Sequence, residues 1–458
     1  MTAAPVMRPV IIPLDPPPEP LELLERFAHL PFPVLLDGAA DHHDLGRYSY
    51  FTADPIATLR GWAADWPALL DRLRGTLRSD APIDAALPPF QGGWIGWLGY
   101  ELGAAFDRMP RAAHDPLDLP DLSLALYDWV IAWDHASGAA WLVSSGIDAD
   151  GVPDPARAQH RADAVLAQLA NRPNHLRGTF SPTTATADFS ADAYRHAVAT
   201  VIEHVLAGDI FQANLAQRFS APFDGSALAL YRRIRARSAA PLAAYLDHGD
   251  VQLLSASPER FVRLDAATGA VEARPIKGTR PRGQELTSDA AFAADLVSSE
   301  KDRAENVMIV DLLRNDLARV CAPGSVDVPT LCALESHPTV HHLVSTVTGT
   351  LREGRDVLDL LAATFPGGSV TGAPKLRAMA VIAALEPVTR GAYCGAIGWL
   401  GLDGGCSFSI AIRTVTVARG IASLHAGGGI TALSDPEAEY QETLDKAAAL
   451  MAALAEGG

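Results

Sequence analysis

Residues 408–454 are FSIAIRTVTVARGIASLHAGGGITALSDPEAEYQETLDKAAALMAAL, two strand-like runs followed by one long helix-like run. The runs Phe408–Thr416 and Ile421–Leu424 are rich in β-branched residues, and Pro436–Leu454 is rich in helix formers. No helix candidate lies between the two strand candidates, and the rest of this half also lacks clean βαβ alternation. This pattern predicts an α+β fold rather than a doubly wound sheet. The other strand candidate is Val251–Ser255, and the other helix candidates are Ala304–Leu313 and Pro374–Leu385.

The same half opens with a well-marked helix. Ser190 is a suitable N-cap and Gly208 lies just past the predicted end. The apolar residues between them recur at helical spacing and define one buried face. They are Tyr194, Val198, Val201, Ile202, Val205 and Leu206.

A segment rich in proline, threonine and serine separates two halves of different character. It covers Arg172–Asp188 and is typical of a connector. Before it, strand-like runs such as Pro33–Leu36 and Leu124–Trp133 predominate. We therefore predict two regions, residues 1–175 and residues 189–458.

Composition limits the class of protein. The chain has 458 residues, 48% of them hydrophobic, and a formal charge of −17, which argues against a nucleic-acid partner. No apolar run is long enough for a membrane span, and the first residues lack the pattern of a signal peptide. The four cysteines have no metal-binding or disulfide-scaffold spacing. We expect a folded, cytoplasmic protein with reduced thiols.

Two pairs of acidic residues have helical spacing. Asp302 and Glu305 form the first pair, and Glu439 and Glu442 form the second, with Lys446 four residues further on. Residues three or four apart share one face of a helix. Four carboxylates on two facing helices could hold Mg²⁺, which completes its octahedron with water and substrate oxygens. The alternative is a solvated pair between Glu442 and Lys446, worth only about 0.3–0.5 kcal/mol.

A compact basic segment, RPIKGTRPRG at Arg274–Gly283, places Lys277 among three arginines. Arginine side chains and glycine amides in such a loop can bind a carboxylate. An ordinary basic surface loop is the alternative. The amine of Lys277 can also act as a nucleophile, which would permit covalent catalysis.

A glycine triplet and one arginine complete the candidates. Gly427, Gly428 and Gly429 lie between a strand candidate and the acidic helix, so their amides could bind an anion, although a tight turn is the alternative. Arg413 lies inside a strand-like run and needs a partner if it is buried. That partner is either a substrate carboxylate or an internal salt bridge.

Together these segments resemble the family of chorismate-utilising enzymes, which includes anthranilate, aminodeoxychorismate, isochorismate and salicylate synthases. The resemblance implies an α+β fold in which large antiparallel sheets pack as a β-sandwich flanked by helices. It also implies that residues 1–175 are like the N-terminal region of anthranilate synthase component I and that residues 189–458 bind chorismate. The matching segments are LGRYSYFTADP (Leu45–Pro55), FQGGWIGWLGYELG (Phe90–Gly103), GDIFQANLAQRF (Gly208–Phe219), SASPERF (Ser255–Phe261), PIKGTRPRG (Pro275–Gly283), KDRAENVMIVDLLRNDLARVC (Lys301–Cys321), HHLVSTVTG (His341–Gly349), FPGGSVTGAPK (Phe365–Lys375), Tyr393–Gly398, FSIAIRT (Phe408–Thr414) and Ala426–Ala447.

Two positions sort the members of this family. Lys277 stands where anthranilate synthases carry alanine and aminodeoxychorismate synthases carry lysine. Gln212 stands where isochorismate-forming members carry a lysine that activates water. The resemblance therefore implies amination of chorismate at C4, giving 4-amino-4-deoxychorismate for 4-aminobenzoate and folate synthesis. The alternatives are anthranilate synthase component I and, from another class, a catalytically silent regulatory subunit.

The resemblance also implies a role for each chemical group. Mg²⁺ would be held by Glu305 and Glu442, with Asp302 and Glu439 in support. Glu259 would be the general acid for the departing C4 hydroxyl. Lys277 would add at C2 and then be expelled by ammonia. The substrate contacts implied are Gly278, Thr279, His342, Tyr393, Arg413, Gly427, Gly428, Gly429 and Lys446.

A partner and a second ligand are implied as well. The chain shows no glutaminase segment with a nucleophilic cysteine, so ammonia would come from a separate glutamine amidotransferase subunit. Relatives hold tryptophan in the N-terminal half, and the residues at the matching positions are Ser49, Pro241, Leu242 and Ala243. The segment LLDGAADHHDLGRYS departs from the LLES pattern of feedback-sensitive members, which argues against inhibition by tryptophan and leaves its binding open.

Overall fold

The structure is a computed structural model, and it describes residues 9–38, 45–77, 83–171, 178–337 and 340–456. The strands are β1 (Val10–Leu14), β2 (Val34–Asp37), β3 (Tyr48–Thr52), β4 (Ala57–Gly61), β5 (Gly93–Leu98), β6 (Leu122–Tyr127), β7 (Trp129–Asp134), β8 (Ala139–Ser144), β9 (Thr186–Ala187), β10 (Gln212–Pro222), β11 (Leu242–Asp247), β12 (Val251–Ser257), β13 (Arg260–Leu264), β14 (Ala270–Arg274), β15 (Ile276–Pro281), β16 (Asp327–Ser336), β17 (Val340–Thr350), β18 (Gly372–Ala373), β19 (Ala396–Gly401), β20 (Cys406–Ile410), β21 (Thr414–Ala418) and β22 (Ile421–Ile430). The helices are α1 (Pro20–Arg26), α2 (Trp66–Thr76), α3 (Pro155–Ala170), α4 (Ala191–Leu206), α5 (Ala227–Arg237), α6 (Leu286–Ser298), α7 (Glu300–Ala318), α8 (Val357–Thr364), α9 (Lys375–Leu385) and α10 (Pro436–Ala455), with short 3₁₀ turns at Ala63–Asp65, Tyr100–Ala105 and Gly368–Val370.

Two large antiparallel sheets form the centre of the fold. The larger sheet has the order β1-β8-β7-β3-β2-β11-β12-β21-β22-β10-β18, with β9 beside β10. The smaller has the order β15-β17-β14-β13-β20-β19-β5-β6-β4, with β16 beside β17. One buried cluster contains Val130 and Leu253 from the larger sheet and Trp97 and Ile397 from the smaller, so the two inner faces pack on each other. The predicted α+β class and the sandwich of antiparallel sheets are confirmed.

Two strand predictions were wrong in the same way. The run Leu124–Trp133 is not one strand, because β6 ends at Tyr127 and β7 begins at Trp129. The run Phe408–Thr416 is likewise divided between β20 and β21, and Arg413 in the gap has φ 52°. In both places the chain leaves the smaller sheet and enters the larger one. Where a chain passes from one sheet to the other, at least one residue must leave the strand conformation. The hydrophobic pattern alone does not show where this break lies.

Both sheets combine strands from the two predicted regions. In the larger sheet β2 pairs with β11, and in the smaller β5 pairs with β19. The boundary between residues 1–175 and 189–458 stays a prediction, because the two regions share their sheets. Part of the predicted connector, residues 172–177, lies outside the described residues, and its last residues include β9.

The helix predictions are confirmed, with longer bounds in one case. Ser190 accepts a hydrogen bond from the Ala193 amide at the start of α4, and Gly208 has φ 81° beyond its end. The predicted helix over Ala304–Leu313 extends over the whole of α7. In the described part of the chain, no helix is long and apolar enough to cross a membrane.

A buried ion pair just after helix α9 packs against strand β10. The guanidinium of Arg390 donates to both carboxylate oxygens of Glu386, at 2.9 and 2.6 Å, and to the carbonyls of Val370 and Asn214. It also lies 4.6 Å from the ring centroid of Tyr100. Because burial excludes water, the charges of Arg390 and Glu386 are compensated only by each other and by neighbouring protein groups.

Replacing Arg390 by methionine is expected to lower the free energy of unfolding by about 3–5 kcal/mol, because the Glu386 carboxylate is left buried and unpaired. Urea unfolding followed by tryptophan fluorescence measures this change. Arg60→Met is the matched control, since Arg60 pairs with the exposed Asp250 and its loss should cost less than about 1 kcal/mol. Equal destabilisation by the two variants would contradict the prediction.

Candidate active site

Three of the predicted carboxylates converge on one strand. Glu305 projects from α7, and Glu439 and Glu442 project from α10. A Cβ on Gly428 would lie 3.1 Å from Glu439 Oε2 and 3.3 Å from Glu442 Oε1, and one on Gly429 would lie 3.2 Å from Glu305 Oε2. The absence of side chains on this part of β22 thus leaves the space into which the carboxylates point.

The glycine triplet lies in a strand rather than in a turn. Gly427, Gly428 and Gly429 lie inside β22 and pair with Ala216, Leu215 and Asn214 of β10. The tight-turn interpretation of the triplet was therefore wrong, and binding of an anion by its backbone amides stays a prediction. Glycine is required because a Cβ on residue 427 would lie 2.3 Å from the carbonyl oxygen of Leu215.

Each predicted metal-binding carboxylate is accompanied by a cation of the chain. Lys301 Nζ donates to Glu439 Oε1 at 3.1 Å and lies 3.9 Å from Glu305 Oε1. The other two pairs are Lys446 Nζ with Glu442 Oε1 at 2.5 Å and Arg280 Nη2 with Asp302 Oδ2 at 3.1 Å.

These ion pairs bear on the metal prediction. Among the described residues, no group of three or more histidine, cysteine, aspartate or glutamate side chains is arranged to hold a metal ion. The donor chemistry nevertheless fits Mg²⁺, which binds through one or two carboxylates together with water and substrate oxygens. Burial raises the pKa of Glu305, and the positive charges of Lys277 and Lys301 act in the opposite direction. Mg²⁺ stays a prediction, with Glu305 and Glu442 as its ligands.

The two predicted catalytic groups lie together and are buried. Glu259 follows β12 and is 4% exposed, and Lys277 in β15 is 9% exposed. Ser369 Oγ donates to Glu259 Oε1 at 2.6 Å. Burial raises the pKa of Glu259 to about 7, although the Ser369 hydroxyl and the positive charge of Lys277 act in the opposite direction. A carboxyl group with this pKa can hold and donate a proton near neutral pH.

A second group of predicted contacts lies along β15 and β17. Thr279 pairs with His342, and Thr279 Oγ1 lies 2.9 Å from His342 Nδ1. Burial lowers the pKa of His342 to about 3, so its imidazole is neutral at physiological pH. Gly278 has φ 89°, and a Cβ there would lie 2.9 Å from Asp302 Cβ. The backbone of this strand therefore passes close to α7.

The remaining predicted contacts are placed by long-range interactions. Tyr393 is buried and stacks on His425 with centroids 4.9 Å apart. Arg413 Nη1 donates to the Lys446 carbonyl oxygen at 2.6 Å, and Lys446 Nζ donates to the Gly427 carbonyl oxygen at 2.8 Å. In the described residues no ion pair within 4 Å is present for Arg413, so its charge is available to a substrate carboxylate.

Sequence analysis assigned no contact within the site to several of its polar residues. Ser369 contacts Glu259, Arg280 pairs with Asp302, and Lys301 pairs with Glu439. Gln212 is fully buried, and neither amide atom has a hydrogen-bond partner among the described residues. A Cβ on Gly429 would lie 2.1 Å from Gln212 Nε2, which places this amide at the same glycines as the carboxylates. Ser369 and Lys301 both lie inside matching family segments, which was a usable signal, but no local spacing pairs either of them with its carboxylate.

Three of the residues predicted to hold tryptophan line a pocket that contains none of the predicted catalytic, substrate-binding or metal-binding residues. Pro241, Leu242 and Ala243 line a pocket between the two sheets, together with residues such as Tyr50. Ser49 lies beside the pocket, where its hydroxyl accepts a hydrogen bond from the Gly38 amide at 2.9 Å. Residues 39–44 of the departing segment lie outside the described residues. Tryptophan binding stays a prediction.

Comparison with known proteins finds one family model and several relatives that match most of the chain. The family model described as chorismate binding enzyme matches residues 33–452. Aminodeoxychorismate synthase component 1 of Salmonella typhimurium is 41% identical over 434 residues, covering 91% of this chain and 92% of the relative. The protein of the same name from Escherichia coli is 39% identical over 443 residues, covering 92% and 93%. Anthranilate synthase component 1 of Thermus thermophilus is 40% identical over 448 residues, covering 96% and 92%.

Solved structures share the fold. Anthranilate synthase component I from Streptococcus pneumoniae superposes with a TM-score of 0.74 at 29% identity, covering 98% of this chain and 93% of that one. The menaquinone-specific isochorismate synthase from Escherichia coli has the same TM-score at 21% identity, covering 98% and 94%. At that identity the second similarity concerns the fold alone.

Proposed function

The chain belongs to the family of chorismate binding enzymes, and from this premise we propose that it aminates chorismate at C4 to form 4-amino-4-deoxychorismate. The observation that carries the choice within the family is Lys277. Relatives named aminodeoxychorismate synthase and anthranilate synthase are similarly close in sequence, at 41% and 40% identity, so overall similarity does not separate them. A buried lysine beside a protonatable Glu259 suits a covalent route, which amination at C2 does not need.

The proposed reaction proceeds by two displacements. Glu259 donates a proton to the C4 hydroxyl, the C4–O bond breaks, and water leaves. The neutral amine of Lys277 forms a bond to C2 as both ring double bonds shift towards C4. Ammonia then attacks C4, both double bonds shift back, and the C2–N bond breaks so that Lys277 leaves as the amine. The glutamate, now a carboxylate, accepts the proton released by the ammonia nitrogen.

The predicted substrate contacts supply binding and orientation. Arg413 has a guanidinium suited to a substrate carboxylate, since bidentate arginine–carboxylate contacts are strong. Mg²⁺ held by Glu305 and Glu442, with Asp302 and Glu439 in support, would supply positive charge for the ring carboxylate of chorismate. His342 is neutral and can hydrogen-bond a substrate oxygen without adding charge.

Ammonia is proposed to come from a separate glutamine amidotransferase subunit. Relatives carry the name component 1, which implies a second component. All four cysteines of this chain are buried, and burial raises the thiol pKa of Cys321, Cys394 and Cys406. None of these three thiols is suited to attack glutamine. We infer that both subunits work in the cytoplasm.

Free ammonium is expected to replace the partner. The purified chain, given chorismate, Mg²⁺ and concentrated ammonium chloride, should form a product with the mass of aminodeoxychorismate, because the site itself holds the groups that activate C4. Mass spectrometry and conversion to 4-aminobenzoate by an added aminodeoxychorismate lyase identify it. Anthranilate as the product would assign the chain to the rival synthase, and no product would favour a silent subunit.

A further inference from the structure

One cation at the site has no role in the proposed reaction. Lys301 lies one helical turn before Glu305 on α7, and its ammonium group reaches across to Glu439 on α10. The same Glu439 oxygen also accepts a hydrogen bond from Ser434 Oγ at 2.6 Å. Lys301 thus links the two helices that carry the predicted metal ligands.

The ammonium group of Lys301 lies among negatively charged carboxylates. A Cβ on Gly428 would approach Glu439 and Glu442, and one on the neighbouring Gly429 would approach Glu305, so the three carboxylates lie around two adjacent residues of β22. Like charges this close destabilise each other unless a cation lies between them. Lys301 Nζ lies within 4 Å of both Glu305 and Glu439 and supplies such a cation.

The use of lysine in this chain supports a special role. Only four of its 37 basic residues are lysines. Lys277, Lys301 and Lys446 lie at the site, and Lys375 is paired with Asp316 at 2.6 Å. An ammonium group is a compact point charge on a flexible stem, whereas a guanidinium is a planar fork. A compact, movable cation is the one that can stand where a metal ion is to bind.

We propose that Lys301 is a positioning residue that stands in for the divalent cation and is displaced towards solvent when Mg²⁺ binds. The inference rests on the metal site of the proposed function. Its side chain is 38% exposed, so an outward path exists. Ser434 keeps its hydrogen bond to Glu439 during the exchange and holds that carboxylate in place. The two cations compete for the same oxygens, so each weakens the binding of the other.

The test is Mg²⁺ binding by isothermal titration calorimetry to metal-stripped protein. Lys301→Met should bind Mg²⁺ about tenfold more tightly than the unaltered chain, because the competing charge is gone. Lys301→Gln keeps a hydrogen-bond donor for Glu439 and should give the same result if the methionine variant folds poorly. In EDTA both variants should melt at a lower temperature than the unaltered protein, and Mg²⁺ should raise their melting temperatures by more.

A matched control separates a local effect from a change in net charge. Arg72→Met also removes one positive charge, but Arg72 pairs with the exposed Asp150 at the surface, so its Mg²⁺ affinity should stay within about twofold of the unaltered chain. Mg²⁺ affinity that is unchanged or weaker in both Lys301 variants would overturn the inference. So would a lack of Mg²⁺ binding in them, whether or not the unaltered chain binds it. Ammonium-supported amination by the unaltered chain tests the proposed function separately.

Discussion

Replacing Lys277 by methionine is expected to reduce the ammonium-supported amination rate by about a thousandfold, equivalent to about 4 kcal/mol of activation free energy. Methionine has a similar length but no nucleophilic nitrogen, so the first of the two displacements cannot occur. The loss should appear in kcat, because the side chain acts on the reacting carbon rather than in initial binding. Initial rates at saturating chorismate measure it.

Lys277→Arg is the control for charge. Arginine keeps a cation beside Glu259 and Glu305, but it stays protonated and is a poor nucleophile. It should therefore be nearly as inactive as the methionine variant. The unaltered protein, given chorismate without ammonia, should gain the mass of chorismate less one water on the peptide that contains Lys277. A rate above about one tenth of normal in Lys277→Arg would rule out the covalent route.

Replacing Glu259 by glutamine is expected to lower kcat by about 10²- to 10⁴-fold, the usual contribution of a positioned general acid. The neutral amide has a similar shape and can still meet Ser369, so the packing around it should change little. Chorismate affinity should change less than kcat. Steady-state kinetics with ammonium separate the two quantities.

The pKa of Glu259 predicts the direction in which the rate changes with pH. Glu259 must be protonated to donate, and burial raises its pKa to about 7. At a constant concentration of free ammonia, the rate should therefore be high below pH 7 and should fall as the pH rises through that value. Ser369 donates to the ionised form and lowers this pKa, so Ser369→Ala should move the fall to higher pH. An unchanged profile in both Glu259→Gln and Ser369→Ala would show that another group titrates.

The sequence by itself determined the helices and the chemical groups. Helix α4 was predicted with its cap at Ser190 because capping and hydrophobic periodicity are local properties. The acidic pairs on α7 and α10 followed from spacing alone, since residues three positions apart lie on the same face of a helix. Lys277 and Glu259 were identified through family motifs, and the fold brings them together.

Only the tertiary structure decided how these elements meet. The corners near Asp128 and Arg413, where the chain changes sheets, depend on partners far away in sequence. The glycine triplet became a strand because β10 pairs with it, although no local signal distinguishes such a strand from a turn. The pairing of Lys301 with Glu439 joins residues more than a hundred positions apart. Charge compensation depends on distance in three dimensions, and for that reason sequence spacing predicted the carboxylates and the Glu442–Lys446 pair within one helix, but not the pairing of Lys301 with Glu439.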